Sequence, residues 1–528
     1  MKKALKIIGI TIIIFLAILI AVPFFFKGQI AEIVKREANK NLNATLNFKD
    51  VGLNLFSSFP NLSMNLDGLT IVNKAPFEGD TLIQLSSFKA TIDLWSVIAG
   101  DKIKVEAITL KEPRIFIYSL NDSTANYNIS KTEEKNGKIS SADTSKDLSI
   151  ALKKYSIEDG NIIYYDQPSN MTVVIKNINH EGKGDFTSNN FDLKTTTTID
   201  KLSFEKGGIK YLNEANADLK MDIAADMQNK KFTFKENELR LNNLILNFDG
   251  YFAKPDSSIS MDIKFASANN DFKNIVSLIP AVYSNNFNDL KSSGKMDLKG
   301  SVKGLYSENN LPAFDINLNV NNGQFQYPKL PTSVNNVNME MTVNNSGGSA
   351  DNTVINIKKL HFELGKEPFD AALLVKNPTT RPYIDTKVRG KINLSDLKNA
   401  LYLENMNKLE GFINADFQAN GTITSKDAKA VENISASGNV SFSNIVYASK
   451  DLKDEIKISK ASLTLTPKQF NLNDFSMQIG KNELSASGKL DNVISYVLSD
   501  GTLIGNLNIN SNFFDLNPFM SDETKTRS

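Results

Sequence analysis

Val337-Asn338-Met339-Glu340-Met341-Thr342-Val343 places an apolar side chain at every odd position and a polar one at every even position. Strand side chains point to opposite faces in turn, so a period of two describes a sheet with one apolar face and one wet face. The same pattern lies upstream. Ile316, Leu318 and Val320 flank Asn317 and Asn319; Leu244, Leu246 and Phe248 flank Ile245 and Asn247; Leu62, Met64 and Leu66 flank Ser63 and Asn65. From about residue 46 to residue 519 the chain keeps returning to this pattern. The prediction is a mostly β protein carrying hundreds of residues of one-sided sheet. Its candidate groove-lining residues are Leu62, Met64, Leu66, Leu244, Leu246, Phe248, Ile316, Leu318, Val320, Met339 and Met341.

Composition narrows the function classes. The chain has 528 residues, 60 basic and 59 acidic, for a net charge of +1. Nucleic-acid binding calls for a basic patch or stripe, which this balance does not support. There is no cysteine, which excludes disulfides, thiolate metal sites and cysteine nucleophiles. The only histidines, His180 and His361, lie far apart in strand-like stretches and read as ordinary strand residues. Asn is abundant, which suits turns and wet strand faces.

Lys2, Lys3 and Lys6 precede an uncharged run from Ile7 through Phe15 to Phe26. As a helix this run would span about 30 Å, the thickness of a hydrocarbon core. A cleaved signal peptide would carry a shorter apolar core and a small-residue cleavage site, and Val22-Pro23-Phe24-Phe25-Phe26 is a poor site. The run therefore reads as an uncleaved transmembrane helix. The lysines favour a cytoplasmic segment 1–6, with the bulk of the chain outside the cytoplasm. This predicts a single-pass membrane protein with its body outside the cytoplasm. Gln29 to Leu42 reads as an amphipathic helix that caps the first strand, in preference to lying on the membrane surface.

Within an N-terminal region 27–130, residues 44–130 are strand-rich, with a helical patch near Leu94-Trp95-Ser96-Val97-Ile98 in which Trp95 reads as a core anchor. Residues 131–147 are charged and Ser-rich, a disordered loop. A β region follows over 148–238. Residues 239–519 carry a weak repeat of about 120 residues, before a tail at 520–528. Each repeat opens on alternating strands and closes on Asp271, Asp396 or Asp515, each suited to cap a short helix. Gly294 and Gly411 centre the strands that follow the first two closures. Modules stacked end to end predict an elongated sheet.

No constellation of residues calls for chemistry. The chain lacks a phosphate-binding loop with its lysine, a His-Glu-x-x-His and a Gly-x-Ser-x-Gly. Lys206-Gly207-Gly208 reads as a hairpin turn. No catalytic residue, metal ligand or cofactor is nominated. A carboxylate pair formed in space stays open, but no local spacing argues for one.

A series of pieces in order resembles the AsmA-like family of bacterial envelope proteins. After the anchor and short helix come Leu55-Phe56-Ser57-Ser58-Phe59-Pro60-Asn61-Leu62-Ser63 and Asn73-Lys74-Ala75-Pro76-Phe77-Glu78-Gly79-Asp80-Thr81-Leu82. Asp93-Leu94-Trp95-Ser96-Val97-Ile98-Ala99-Gly100 and Val105-Glu106-Ala107-Ile108-Thr109-Leu110-Lys111-Glu112-Pro113-Arg114-Ile115 follow. Ala125-Asn126-Tyr127-Asn128-Ile129 and Ile157-Glu158-Asp159-Gly160-Asn161-Ile162-Ile163-Tyr164-Tyr165-Asp166 complete the series. The resemblance implies a long, strongly curved antiparallel sheet, folded like a taco shell around an apolar trough, with a few short helices. It implies an anchor in the inner membrane with a periplasmic body, lipid handling between inner and outer membranes, or effects on outer-membrane protein assembly or targeting, and no catalysis. At about 13 residues per strand and loop, roughly 37 strands spaced about 4.8 Å apart set an upper limit of roughly 180 Å.

Three function classes compete. The favoured one is a membrane-anchored groove that binds or moves phospholipid or another acyl-chain lipid and contributes to outer-membrane homeostasis. The alternative is a structural or assembly-modulating scaffold, with closed sandwiches and contacts to other envelope proteins. A sandwich core and a lipid trough use the same alternation, so whether the apolar face is covered discriminates them. An enzyme is disfavoured, since nothing nominates its residues.

Overall fold

The computed structural model describes residues 28–515 apart from internal stretches, the longest being 132–147, 279–289, 423–434 and 492–501. The expected membrane span from Ile7 to Phe26, nearly all of the expected disordered loop, and the tail lie outside the described residues. Among the described residues no helix is long and apolar enough to cross a membrane. Strand dominates, and the chain divides into two compact units, Met1–Pro255 and Asp256–Ser528.

The first unit opens with helix α1, to which the described residues between 28 and 41 belong. Eight short strands then act as four interrupted ones, laid in tandem. These are β1 (Ala44–Asn47) with β2 (Asp50–Asn54), β3 (Leu62–Asp67) with β4 (Thr70–Asn73), β5 (Thr81–Gln84) with β6 (Ser87–Ile92), and β7 (Ile103–Lys111) with β8 (Arg114–Asn121). The pairings β1–β4, β2–β3, β3–β6, β4–β5, β6–β7 and β5–β8 are all antiparallel, so the interruptions fall beside one another. There Phe48, Val51, Leu66, Leu69 and Leu85 form a buried cluster, with Ala31 and Val34 of α1 packed against it. Each such side chain contributes roughly 1.5–3 kcal/mol on burial, which is what holds α1 on the sheet. The capping reading of this helix is the one the structure bears out.

The expected antiparallel order has one exception. The 19-residue strand β10 (Leu148–Asp166) lies parallel to both β7 and β8. A hairpin cannot place parallel neighbours, and the connection over 122–147, which carries the two-residue strand β9 (Thr124–Ala125) paired with β8, is long enough to return to the starting end. From β10 onward the unit is an antiparallel meander through β11 (Met171–Lys183), β12 (Asn190–Lys206), β13 (Ile209–Asp226), β14 (Lys231–Leu241) and β15 (Leu244–Ala253). The β12–β13 turn is Gly207-Gly208, both at positive φ, as a tight hairpin requires.

The second unit is a thirteen-strand meander among the described residues. It runs from β16 (Ile259–Ser267) through β17 (Lys291–Tyr306), β18 (Ala313–Gln326), β19 (Val334–Asn345), β20 (Thr353–Leu364), β21 (Glu367–Lys376) and β22 (Tyr383–Asn393). It continues through β23 (Met406–Thr422), β24 (Ser435–Ser449), β25 (Ile456–Leu465), β26 (Phe470–Ile479), β27 (Asn482–Asp491) and β28 (Ile504–Asn510). Every successive pair is antiparallel. A short helix follows β16 (α3, Phe272–Val276), and another follows β22 (α4, Leu394–Ala400). Six strands separate them, an even number, so both helices lie at the same end of the ladder.

The caps differ from expectation. Asp271 stands at the N-cap of α3 without a capping bond, and its carboxylate meets the Lys295 ammonium at 2.9 Å. Asp396 lies inside α4, where Asn393 is the cap and accepts from the Ser395 and Asp396 amides. Asn, one of the strongest caps, takes the place assigned to Asp. Asp515 exchanges hydrogen bonds with Asn482, and the residues after it lie outside the described set. In α2 (Leu94–Ile98), by contrast, the Asp93 carboxylate accepts from the Ser96 amide at 2.7 Å.

The glycine-centred strands do repeat. Gly294 and Gly411 adopt φ of 103° and 104°, each one strand after a short helix. A Cβ at Gly294 would lie 2.4 Å from the Asn322 carbonyl oxygen, and one at Gly411 2.5 Å from that of Asn444. Asn322 and Asn444 are themselves at positive φ, so both places carry the same Gly–Asn irregularity across two strands.

Candidate functional site

Across the second unit the apolar positions align into rows. Leu298, Leu318, Met341, Ile357 and Leu373 are successive cross-strand partners over β17–β21. The row beside it runs Met296, Val320, Met339, Leu360, Ala371, Val388 and Phe417. On the other side run Ile316, Val343, Ile355, Val375 and Ile384. Five of the candidate residues, Ile316, Leu318, Val320, Met339 and Met341, thus lie together on one continuous apolar surface. Glu340 and Thr342 belong to the opposite face, and Glu340 there meets Lys358.

Burial is uneven along this surface. Beside α3 it is deep, with Met296, Val320 and Phe325 buried along with Phe272 and Val276 of the helix. Away from the helices Met341, Val343, Ile355, Ile357 and Leu373 stay only partly buried. A second sheet packed about 10 Å above would bury the centre of the face first. Here burial is deepest at the end the helices cover. An aromatic ring lies across a glycine on the neighbouring strand: Phe369 is paired with Gly390, where a Cβ would lie 2.7 Å from the ring. A ring laid over a glycine seals the backbone and keeps the surface apolar there.

In the first unit Leu244 and Leu246 face Leu241 and Leu239 of β14, while Phe248 stacks edge-on against Phe234 with ring centroids 5.5 Å apart. Leu244 is buried, whereas Leu246 and Phe248 are half-buried. Leu62, Met64 and Leu66 pair with Ile92, Ala90 and Phe88. Leu66 belongs to the buried cluster under α1, and Met64 packs against it. That stretch of the face is occupied by the protein's own helix, an arrangement that period two alone does not reveal.

The face of the first unit also carries a polar island. His180 Nδ1 lies 2.8 Å from Thr197 Oγ1, and its ring sits 5.3 Å from that of Tyr155. Burial holds the His180 imidazole below its ordinary value and pushes the Tyr155 phenol up. Tyr155 covers Gly182, where a Cβ would meet the ring at 2.3 Å, and Thr195 beside it is buried. His361 pairs across strands with Asp370 at 2.8 Å. Both histidines are strand residues, as expected.

A concavity of about 550 Å³ lies on strands β24–β28, lined by Val446, Lys457, Gln478, Glu483, Ser485 and Asn510 among others. Most of these are on the wet side of the alternation, so it is separate from the apolar rows. Among the described residues no group of three or more His, Cys, Asp or Glu could hold a metal ion. The expectation for Trp95 was wrong: α2 turns it into solvent, 69% exposed. The helix is a single turn whose inward position is taken by Ser96, bonded to Asp93 and Lys104.

One family model, described as the AsmA family, matches residues 1–514. No curated protein and no solved structure matches the chain.

Proposed function

The chain belongs to the AsmA family, and on that premise we propose that it is a membrane-anchored envelope protein whose apolar β face binds lipid acyl chains. The work inferred for it is carrying phospholipid or a related lipid between inner and outer membranes, in support of outer-membrane homeostasis. What carries this reading is the run of aligned apolar rows over β17–β21, in which Met341, Val343, Ile355, Ile357 and Leu373 stay partly exposed. Removing a methylene from water yields about 0.8 kcal/mol, so an acyl chain laid along such rows is held by many small gains. Few fixed polar groups line them, so discrimination among acyl chains is expected to be low. The uncharged run from Ile7 to Phe26 supports the anchor, and the lysines before it support a periplasmic body.

The test is extraction of the full chain in mild detergent followed by mass spectrometry of the bound lipid and a vesicle uptake assay. Phospholipid recovered with the protein, and uptake of labelled lipid, is the expected result. A lipid-free preparation with no uptake would move the assignment to protein contacts, the scaffold class.

A further inference from the structure

Phe59 and Trp95 are the most exposed large apolar side chains among the described residues, at 73% and 69%. They are distant in sequence but share one end of the first unit's sheet. Phe59 lies in the turn feeding β3, just before Leu62; Trp95 lies in α2, just after Ile92. Leu62 and Ile92 are direct cross-strand partners. Both carriers are tied to β7. The Asn61 side-chain amide donates to the Glu106 carboxylate at 2.7 Å, and the Lys104 amide donates to the Ser96 hydroxyl at 3.1 Å. These rings are held out on hydrogen-bonded turns, where neither serves the core.

The course of α1 supplies the occupant. Asn39 exchanges two hydrogen bonds with the Leu46 backbone in β1, at 2.9 and 2.7 Å. One turn earlier, Lys35 sits over the Phe48 ring at 4.6 Å. Earlier still, Ala31 and Val34 pack on the cluster that includes Val51 of β2. Followed back toward its start, α1 therefore runs from β1 toward β2, and β2 leads into the turn that bears Phe59. Gly28, the first described residue of α1, lies toward that end, and the uncharged run Ile7–Phe26 precedes it in the sequence.

We propose that this end of the first unit docks on a phospholipid bilayer, with Phe59 and Trp95 seated at the headgroup level as a two-point aromatic anchor beside the membrane span. Trp favours this interface because its body is apolar and its indole N–H polar, and Phe adds an apolar ring that buries at the boundary with the acyl chains. A single helical span leaves the attached body free to rotate and tilt; two rings on bonded turns would fix its orientation. The inference rests on the membrane-anchored reading above.

Trp95 is the only tryptophan in the chain, so its fluorescence reports this site alone. The full chain is reconstituted in phosphatidylcholine–phosphatidylglycerol vesicles, and flotation is scored first. Trp95 emission is then compared in vesicles with and without brominated phosphatidylcholine, and against aqueous iodide. Docking predicts blue-shifted emission, loss of intensity with the brominated lipid and protection from iodide. A W95F/F59W chain moves the reporter to the second ring and should behave alike; both sites are exposed, so folding is not at stake. Vesicle-bound protein whose Trp95 stays iodide-accessible and unquenched by lipid overturns the docking while leaving the span intact. A quenched Trp95 with an iodide-accessible F59W overturns the two-ring anchor. Protein that does not float overturns the span and the docking together.

Discussion

At the scale of single residues, asparagine has a more definite task here than wet faces and turns. Of the described non-glycine residues at positive φ, most are Asn, including Asn177, Asn322, Asn336 and Asn444 within strands. Asn tolerates this region better than other L-residues because its short amide bonds locally. The amide freed at such a point is caught by a side chain on the neighbouring strand. Asn322 N–H donates to Asn338 Oδ1 at 3.1 Å, Asn177 N–H to Asn161 Oδ1 at 3.3 Å, and Asp159 N–H to Asn179 Oδ1 at 3.0 Å. Asn126, 1% exposed, clamps β8 by accepting from Tyr118 N–H at 2.9 Å and donating to the Phe116 carbonyl at 2.8 Å. Asn126→Leu orphans both groups and is expected to cost about 1–3 kcal/mol, read as a lower urea midpoint for the first unit. His180 sets a pH dependence. Its folded pKa lies below its ordinary value, so the unfolded chain binds the proton first. Its contribution is complete above about pH 6.5 and is lost as pH falls from there toward the folded value. Stability curves for the native chain and H180Q should diverge in slope below about pH 6.5 and run parallel above it; parallel slopes throughout would show that His180 is not buried neutral.

At the scale of the element, parity is the testable property. Met341 and Thr342 are chain neighbours on one strand, yet they belong to opposite faces. Met341→Lys puts a charge in the apolar rows, where desolvating an ammonium is costly without a partner. Thr342→Lys adds the same charge to the wet face. The expected outcome is several-fold less co-purified phospholipid for M341K and no change for T342K, with unchanged circular dichroism in both. Equal retention in the two variants would show that the rows do not hold lipid. Leu318, buried beside Met341, is the worse place to test, because a charge there threatens folding before function. Period two reveals which residues share a face. It does not reveal that α1 covers Leu66 or that Trp95 points away from the core, because both depend on where a helix settles.

At the scale of the whole molecule, the ladder sets the mechanics. In the second unit each strand pairs with its chain neighbours, so stability is expected to build along the ladder from local terms. The last strand, β28, is exposed along its whole length. Hydrogen exchange should therefore be fastest in β28, slow through β25–β27, and slowest in β17–β22, where α3 and α4 add packing. Uniform protection across the ladder would contradict this. Thirteen described strands at about 4.8 Å make roughly 60 Å of ladder in this unit, under the roughly 100 Å that about 13 residues per strand would allow it, because loops and helices use up residues.

The chain itself dictated a mostly β fold, the parity of its strands, and the matching glycine-centred strands at Gly294 and Gly411. These follow from local chemistry: alternation, turn residues and glycine are all read within a few positions. The parallel seam at β10, the helix laid over Leu66, the capping of α4 by Asn393 and the exposure of Trp95 were decided only in three dimensions. Each depends on groups far apart in sequence competing for one place, and no local pattern records which of them wins. The apolar face belongs to both levels. Its existence is written in the alternation, while its partial exposure away from the helices follows from where those helices pack.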